Sequence, residues 1–366
     1  MIRDTYAVID LDTLEHNLSL IRNEIPLDHV YAVVKANAYG HDLVEFSRSL
    51  FDLGIRHFAV ACLSEAVTLF REAKELVENS TVLIMGYTSD ALLAEFKEYP
   101  FVFTIFSVDQ AKILNEASRR AMVEIKVNTG FNRLGKRPTD EYLKEVSAIH
   151  QLKNVGVHGV FSHLRLAERS EDLMQIKTFE AFCNSLPFQG FRKHICDSIG
   201  FIQYPEARFD MVRLGAILYG LVPDRQLDRG YRPVLSLYSE ISQIIEVKKG
   251  EGISYDEQFS ARNDMMIAVL PIGYGDGYKR MLSNRGTVVV NGHSCPIVST
   301  ICMDQMTVDI TGRNACPGDA VELIGPNIPV RTIAGDARTN RNDIVASLSS
   351  RIERRFMKSG AVLRIV

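Results

Sequence analysis

The 366-residue sequence predicts an α/β protein in which an eight-stranded (β/α)8 barrel is followed by a smaller β-rich domain. Three observations lead to this prediction. Apolar, β-branched runs alternate with amphipathic stretches through the first two thirds of the chain, which is typical of a parallel sheet covered by helices. Eight such runs precede Gly230, and eight is the strand number of a barrel. Beyond Gly230 the runs are short and turns separate them, which indicates a β-rich domain.

The predicted barrel strands are apolar on both faces, as expected for strands in a buried parallel sheet. A doubly wound open sheet is the structural alternative, but no G-x-G-x-x-G motif follows the first strand, so we favour the barrel. The eight predicted strands are Val30–Lys35, His57–Cys62, Thr81–Met85, Val102–Phe106, Val123–Val127, Val155–Phe161, His194–Cys196 and Met211–Leu214.

Helices are predicted between these strands because apolar residues recur with the period of an amphipathic helix. Residues that favour the N-cap position precede several of them, at Asp12, Ser64, Asp90, Ser107 and Thr139. The predicted helices are Leu14–Ile25, Glu65–Val77, Ala91–Glu98, Val108–Arg119, Asp140–Leu152 and Leu173–Leu186.

The domain boundary is predicted in the polar stretch between Val222 and Val234, which contains Pro223, Gly230 and Pro233. We therefore assign residues 1–230 to the barrel and residues 231–366 to the β-rich domain. Helical periodicity returns only near the C-terminus. Strands are predicted at Leu235–Val247, Met265–Pro271, Thr287–Val290, Thr307–Ile310 and Ala320–Leu323, and a helix at Asn342–Lys358.

The composition excludes several classes of protein. The chain has 42 Lys+Arg and 45 Asp+Glu, a balance that argues against a nucleic-acid partner. The longest apolar stretch, Met265–Ile272, is too short to cross a bilayer, and no secretory signal follows Met1. Its six cysteines are scattered without a C-x-x-C pair, which is typical of reduced thiols and predicts no zinc site. We expect a cytoplasmic protein.

Polar residues end five of the predicted barrel strands, and the active sites of such barrels lie where their strands end. Lys35 ends the first strand, where partial desolvation would lower its pKa and make its amine nucleophilic. The alternative is that the side chain of Lys35 only extends to solvent at the rim of the barrel and has no role in catalysis. The other polar residues at these ends are Lys126, Asn128, His163, Asp197, Ser198 and Arg213.

Cations outnumber anions at these strand ends, so the opening of the barrel on this side is expected to bind an anion. Ser198, Gly215 and Ala216 follow the seventh and eighth strands, where barrels of this kind often bind phosphate. A nucleophilic lysine that faces a phosphate site indicates pyridoxal 5′-phosphate. The chemistry of a sugar-phosphate aldolase fits the same arrangement.

Six segments, in the same order along the chain, resemble the alanine racemase family. The family fold is a (β/α)8 barrel followed by a β-domain, and the resemblance extends over nearly the whole chain. The segments are Ala32–His41 (AVVKANAYGH), Lys126–Gly135, Met211–Pro223 (MVRLGAILYGLVP), Ile253–Tyr255, Pro271–Tyr278 (PIGYGDGY) and Ile301–Gln305 (ICMDQ).

The resemblance implies a racemase with two bases, which remove a proton from one face of Cα and return one to the other. Lys35 resembles the lysine that binds pyridoxal 5′-phosphate covalently and acts as one base. Tyr255 resembles the other base, which in this family reaches the active site of a partner subunit. A head-to-tail homodimer is therefore implied. Tyrosine is a poor base at its usual pKa of about 10, and His163 and Arg213 resemble the relay that holds it.

Further roles follow from the same resemblance. Arg213 resembles the partner of the cofactor's ring nitrogen, and Tyr274 resembles a residue of the substrate entry. Lys126 matches a lysine that is carbamylated in many members of the family. The implied phosphate ligands are Tyr39, Ser198, Gly215 and Ala216, and the groups that hold the substrate carboxylate and the cofactor hydroxyl are Arg133 and Met303.

The largest departure from the family pattern is Asn342, which stands where alanine racemases usually have a tyrosine. Asparagine is smaller and offers a donor and an acceptor, so it leaves room for a substrate hydroxyl and can bond to it. We therefore predict racemisation of L-serine as well as L-alanine. In this respect the sequence resembles the racemase domain of the vancomycin-resistance serine racemases, which follows a membrane-embedded segment. Loss of the tyrosine without functional effect is the alternative.

Other departures affect the charge around Lys126 and the pocket entrance. Asn128 replaces an aspartate, Phe131 a methionine and Asp197 an asparagine, and Leu164–Leu166 replaces a Phe-Ala pattern.

Three other functions stay open. An alanine racemase with little serine activity is one. A non-catalytic carrier of pyridoxal phosphate shares the barrel but lacks a β-domain. A decarboxylase of basic amino acids has two domains but normally has a glycine cluster at its phosphate site.

Overall fold

The computed structural model describes residues 4–95, 100–222, 227, 229–255 and 259–366. Two sheets organise these residues. Eight parallel strands form a barrel, and ten mainly antiparallel strands form a second sheet. The first strand, β1 (Tyr6–Asp10), pairs with strands of the second sheet. This strand lies within residues 1–230 in sequence but belongs to the second sheet.

The barrel confirms the predicted fold class, with each of the eight predicted strands present and shifted by only one or two residues. Backbone hydrogen bonds connect the two ends of the sheet, from the Arg213 N–H to the Cys196 carbonyl (3.0 Å) and from the Met211 N–H to the Lys193 carbonyl (3.2 Å). The strands are β2 (Val30–Val33), β3 (His57–Val60), β4 (Thr81–Ile84), β5 (Phe101–Ile105), β6 (Ala121–Lys126), β7 (Val155–Phe161), β8 (Arg192–His194) and β9 (Val212–Leu214).

The helices that follow the barrel strands agree with the apolar periodicity of the sequence. Ser107 and Thr139 cap their helices as predicted, but the side chain that caps the first helix is Asp10 and not Asp12. Glu98, the predicted end of one helix, lies outside the described residues. The helices are α1 (Leu11–Arg22), α2 (Lys35–Tyr39), α3 (Leu43–Asp52), α4 (Leu63–Glu72), α5 (Lys74–Glu78), α6 (Asp90–Glu95), α7 (Val108–Ala117), α8 (Asp140–His150), α9 (Arg169–Asn184), α10 (Ser198–Gln203), α11 (Val330–Asp336) and α12 (Arg341–Ala346). Short 3-10 turns occur at Leu27–His29, Pro205–Ala207, Tyr274–Asp276 and Arg280–Leu282.

The second sheet has the order β11-β12-β15-β14-β13-β16-β10-β1-β17-β18, in which only β1 and β17 pair in parallel. The remaining strands are β10 (Leu235–Glu240), β11 (Gln243–Val247), β12 (Met265–Leu270), β13 (Thr287–Val290), β14 (His293–Val298), β15 (Met306–Asp309), β16 (Ala320–Ile324), β17 (Glu353–Lys358) and β18 (Ala361–Ile365).

The helix predicted over Asn342–Lys358 is wrong in its second half. Only α12 is helical, and Glu353–Lys358 forms β17. Burial in β17 alternates along the strand, with Phe356 inside, because pairing with β1 decides its conformation. The buried Arg354 of β17 donates from Nε to the Gly40 carbonyl (3.2 Å), which ties the second sheet to the turn after Lys35.

Within the described ranges, no helix has both the length and the apolar character required to span a bilayer.

Candidate active site

A cavity of about 600 Å³ opens at the carboxyl ends of the barrel strands. This is the position that the sequence predicts for the active site. The residues that line it include most of the predicted site, namely Lys35, Tyr39, Lys126, Arg133, His163, Ser198, Arg213, Gly215, Ala216 and Asn342.

Lys35 follows β2 directly and begins an unusual turn. The four residues from Ala36 to Tyr39 all have φ between 50° and 53°, a left-handed conformation that costs non-glycine residues about 1–2 kcal/mol each. Glu65 holds the start of this turn, since its carboxylate accepts the N–H groups of Ala36 and Ala61, both at 2.7 Å. Burial, and then the charge of Arg133, lowers the pKa of Lys35. The amine is therefore easier to deprotonate, as a nucleophile or base requires.

The turn meets the end of β9 at a group of residues that we call the phosphate cradle, namely Tyr39, Ser198, Gly215 and Ala216. The Ser198 hydroxyl accepts the Gly215 N–H at 3.0 Å. A Cβ at Gly215 would lie 2.7 Å from the Tyr39 phenol oxygen, so only glycine lets the phenol approach this backbone. Tyr39 stacks on Tyr219 at 4.6 Å, which fixes its ring. Two hydroxyls and backbone N–H groups in this arrangement suit a phosphate, and the residues present therefore fit the phosphate end of pyridoxal phosphate.

Arg213 is buried at the floor of the cavity, and its two Nη atoms contact four acceptors. It donates to the carbonyls of Ser162 (2.7 Å) and Ile195 (3.0 Å). It also donates to Nδ1 of His194 (2.5 Å) and of His163 (3.2 Å). A guanidinium can only donate, so both imidazoles carry their proton on Nε2. Burial and the charge of Arg213 lower the pKa of His163 to about 2, which keeps this imidazole neutral.

A buried carboxylate that the sequence analysis missed bonds to His194, one of the histidines that accept from Arg213. Glu124 lies in the barrel interior and accepts from Nε2 of His194 (2.8 Å), from Nδ1 of His158 (3.1 Å) and from the Tyr31 hydroxyl (2.8 Å). Burial alone would raise the pKa of Glu124, but His194 and His158 hold it well below its usual range. A signal was present in the sequence, since a glutamate within an apolar strand needs a buried partner.

Lys126 lies on the same side of the cavity as Arg213. Its ammonium is 4.5 Å from the centre of the Phe161 ring. Burial, followed by the charges of Arg213 and Arg133, lowers the pKa of Lys126 well below its usual value. An amine with a lowered pKa beside two guanidinium groups suits the carbamylation expected from the sequence, because a carbamate would bring a negative charge to them. Carbamylation stays a prediction.

Asn342 lies on α12, which packs against the turn that contains Tyr39. A Cβ at Gly40 would come within 2.0 Å of the Val345 carbonyl oxygen, so the helix backbone touches this turn. Asn340 caps α12 by accepting the Asp343 N–H at 2.9 Å. Lys279 then bonds to the Asp343 carboxylate at 3.0 Å. Asn342 is thereby held at the cavity wall.

Three predicted site residues do not line this cavity. Tyr255, Tyr274 and Met303 are 67%, 43% and 52% exposed on the second domain. They share one region, because the Tyr274 N–H bonds to the Cys302 carbonyl (3.0 Å) and the Ser254 hydroxyl lies 3.1 Å from the Cys302 sulfur. The structure of one chain therefore does not bring them to Lys35.

The fold and the lining of the cavity together define an enzyme of the barrel class whose site fits a phosphorylated cofactor. The chain matches the family model "Alanine racemase, N-terminal domain" over residues 9–223 and "Alanine racemase, C-terminal domain" over residues 234–356. The chain belongs to the alanine racemase family, as the sequence predicted. Alanine racemases are isomerases that depend on pyridoxal phosphate, so the expected enzyme class and cofactor are confirmed.

Individual relatives match along their whole length. Alanine racemase 1 of Clostridium acetobutylicum is 34% identical, with 100% of this chain and 98% of that protein covered. Among solved structures, the alanine racemase of Clostridium difficile 630 has a TM-score of 0.94 at 29% identity and covers 100% of this chain and 99% of that one. The alanine racemase of Bartonella henselae, with covalently bound pyridoxal phosphate, has a TM-score of 0.84 at 27% identity, with 97% and 99% covered.

A buried histidine beside the cofactor turn predicts a loss of stability in acid. His41 is fully buried and donates from Nδ1 to the Tyr39 carbonyl (3.0 Å), and burial lowers its pKa from 6.5 to about 3. Between these two values the unfolded chain binds a proton that the folded chain does not. This histidine therefore lowers the free energy of unfolding by about 1.4 kcal/mol for each pH unit of acidification in that window.

The variant His41→Asn keeps an N–H donor but does not titrate. Urea unfolding at several pH values between 7 and about 5 should give a pH slope smaller than that of the wild type by roughly 1 kcal/mol per pH unit. Equal slopes in the two proteins would show that His41 is protonated in the folded state.

Proposed function

We propose that the chain is a pyridoxal-phosphate-dependent racemase that interconverts L- and D-alanine and also L- and D-serine, with Lys35 and Tyr255 as its two bases. The observation that carries this proposal is the cavity itself, where Lys35, the phosphate cradle and Arg213 converge. The family relatives support alanine as a substrate.

A head-to-tail homodimer is part of the proposal. Each chain has a cavity with one base and an exposed face that carries Tyr255, Tyr274 and Met303. Two-base racemisation requires groups on opposite faces of one carbon, so a single chain is not sufficient. A symmetric dimer in which each face closes the other chain's cavity supplies both bases at each site and covers the exposed aromatic side chains.

Pyridoxal phosphate supplies the electron-withdrawing ring that makes the Cα–H of a bound amino acid acidic. The Lys35 amine, with its lowered pKa, accepts or returns the proton on one face of Cα. The phenol of Tyr255 of the partner subunit does the same on the opposite face. Because Nδ1 of His163 accepts from Arg213, its Nε2–H is available to hold that phenol. Arg213 stays protonated and can only donate to the cofactor's ring nitrogen.

The substrate carboxylate is proposed to bind Arg133, with the backbone of Met303 of the partner subunit nearby. The Arg133 guanidinium lies 4.3 Å from the centre of the Phe131 ring, and that ring contacts His163 edge-on at 4.8 Å. Arg133 also lines the cavity and is exposed to solvent, which supports a contact with a substrate and with Met303 of the partner subunit.

Racemisation of serine is proposed on the basis of Asn342. The residue lines the cavity on α12, where its amide can donate to or accept from a substrate hydroxyl. The relationship to the vancomycin-resistance serine racemases stays a prediction.

The test of the proposed activity is exchange of the Cα hydrogen in deuterium oxide, with L-alanine and L-serine as substrates. Exchange with inversion of both amino acids is the expected result. Release of carbon dioxide from basic amino acids would favour a decarboxylase. Bound cofactor without exchange would favour a carrier, and exchange of alanine alone would limit the proposal to an alanine racemase.

Asn342→Tyr tests the serine prediction directly. A phenol at this position would occupy the space of the hydroxymethyl group and remove the amide, so the serine-to-alanine ratio of kcat/KM should fall by about tenfold or more. Steady-state rates for both amino acids measure the ratio. Asn340→Ser, also at the cavity wall but retaining an N-cap, is the control. An unchanged ratio in Asn342→Tyr would refute the role of Asn342.

A further inference from the structure

We propose that Arg341 is an additional ligand of the cofactor phosphate, a role that the sequence analysis did not assign to any cation. The inference rests on the proposed function, since it concerns the same cofactor. It depends on the position of the Arg341 side chain at the cradle end of the cavity, and on the charges already present there.

Arg341 lines the same cavity as Tyr39, Ser198 and Gly215. Its Nη1 donates to the Val222 carbonyl. The chain between β9 and Val222 folds back tightly, because the Leu221 N–H bonds to the Ala216 carbonyl at 2.7 Å. The guanidinium therefore lies beside the segment that supplies the backbone of the cradle.

The backbone of α12 fixes Arg341 from the other side. The helix touches the left-handed turn, where Gly40 approaches the Val345 carbonyl, and Tyr39 is the residue before Gly40. Arg341 lies one helical turn before Val345. Tyr39, Gly215, Ala216 and Arg341, which is the first residue of α12, thus all line one cavity.

The other cations that line the described cavity have different positions. Lys35 is the residue that holds the cofactor's carbonyl carbon. Arg213 bonds to the carbonyls that follow β7 and β8, and Lys126 lies over Phe161 of β7. Arg133 lies against Phe131, in the loop after β6. Arg341 is the cation that α12 contributes to the lining of the described cavity.

The cradle also contains a negative charge, which increases the need for a cation. Asp197 lines the cavity and caps α10 by accepting the N–H groups of Ile199 (3.0 Å) and Gly200 (2.9 Å). Burial and this carboxylate raise the pKa of Tyr39 to about 12. A phosphate beside Asp197 would experience repulsion from it, and a guanidinium offsets that repulsion. The guanidinium of Arg341 has five N–H donors, and its planar fork can bond to phosphate oxygens as well as to protein acceptors such as the Val222 carbonyl.

The experiment compares two ligands that differ only in the phosphate. The full-length protein is stripped of cofactor, and the equilibrium affinities for pyridoxal 5′-phosphate and for pyridoxal are measured by absorbance, in the wild type and in Arg341→Met. We expect the Kd of the phosphorylated ligand to rise by roughly tenfold to a hundredfold in the variant, as for loss of a charge-assisted hydrogen bond. The Kd of pyridoxal should change by less than about twofold.

Two further variants complete the design. Arg331→Met removes one positive charge from the exposed surface of α11, away from the cavity, and should leave both affinities unchanged. Arg341→Lys keeps the charge without the planar fork, so its affinity for pyridoxal phosphate should lie between those of the wild type and Arg341→Met. It also provides the comparison if Arg341→Met does not fold, which urea unfolding would reveal.

The possible outcomes separate the inference from the proposed function. Equal weakening of both ligands would show that Arg341 only supports the fold of the site, and no weakening of either would exclude phosphate contact. Both results overturn the inference while the wild type still binds pyridoxal phosphate. Failure of the wild type itself to bind the cofactor would overturn the proposed function instead.

Discussion

Tyr255→Phe is expected to lower kcat for racemisation of alanine in both directions by a factor of about 10³ or more. The substitution removes only a hydroxyl from an exposed ring, so the stability of the chain should not change. Lys35 remains, and it can still exchange the Cα hydrogen of the enantiomer whose hydrogen faces it. The variant should therefore show Cα deuterium incorporation with retention for one enantiomer, while conversion to the other enantiomer is nearly abolished.

A mixture of two inactive variants tests whether Tyr255 acts in the partner's site. Lys35→Ala and Tyr255→Phe are each expected to be inactive. In a hybrid dimer the cavity of the Tyr255→Phe chain has an intact Lys35 and receives an intact Tyr255 from the Lys35→Ala chain. One of the two sites is then complete, and random assembly should restore roughly a quarter of wild-type activity. No activity would return if Tyr255 acted in its own chain, or if the two variants did not exchange subunits to form hybrid dimers.

The sequence was sufficient to predict the barrel, and the reason is physical. Parallel strands buried on both faces are rich in apolar residues, so most of the barrel strands appear as separate runs in the sequence. The short strand β8 (Arg192–His194) is an exception. Tyr6–Asp10 is a similar run, but it comes before the first helix, and its partners β10 and β17 are more than two hundred residues away in sequence. Only tertiary pairing assigns it to the second sheet. The same pairing overrides the helical pattern of Glu353–Lys358.

The site was predictable to the extent that its residues follow strand ends. Lys35, Ser198 and Arg213 were predicted to lie together because parallel strands end at the same side of the barrel, and all three line one cavity. Glu124 was missed because it is fully buried within β6 and bonds only to side chains that distant strands bring to it. The position of Tyr255 relative to Lys35 depends on an assembly, and a single chain does not determine it.

Glu124→Leu is expected to reduce the free energy of unfolding by about 3–5 kcal/mol, as when one member of a buried charged network is removed. The substitution leaves the Tyr31 hydroxyl and the ring nitrogens of His158 and His194 without the acceptor that they share. Urea unfolding measures the loss. Glu124→Gln should lose less, because an amide oxygen still accepts one of the three bonds.

The effect on catalysis separates positioning of Arg213 from general stability. Without the Glu124 charge, only the bond from Arg213 favours a proton on Nε2 of His194, so the tautomer in which Nδ1 accepts from Arg213 is less strongly held. The kcat of folded Glu124→Gln should therefore fall by about tenfold, the cost of one charge-assisted hydrogen bond. Glu322→Gln is the matched control. This buried carboxylate bonds to the N–H groups of Asn327 and Ile328 and does not line the cavity. It should lose stability without loss of kcat, and a similar kcat in both folded variants would refute the role of Glu124.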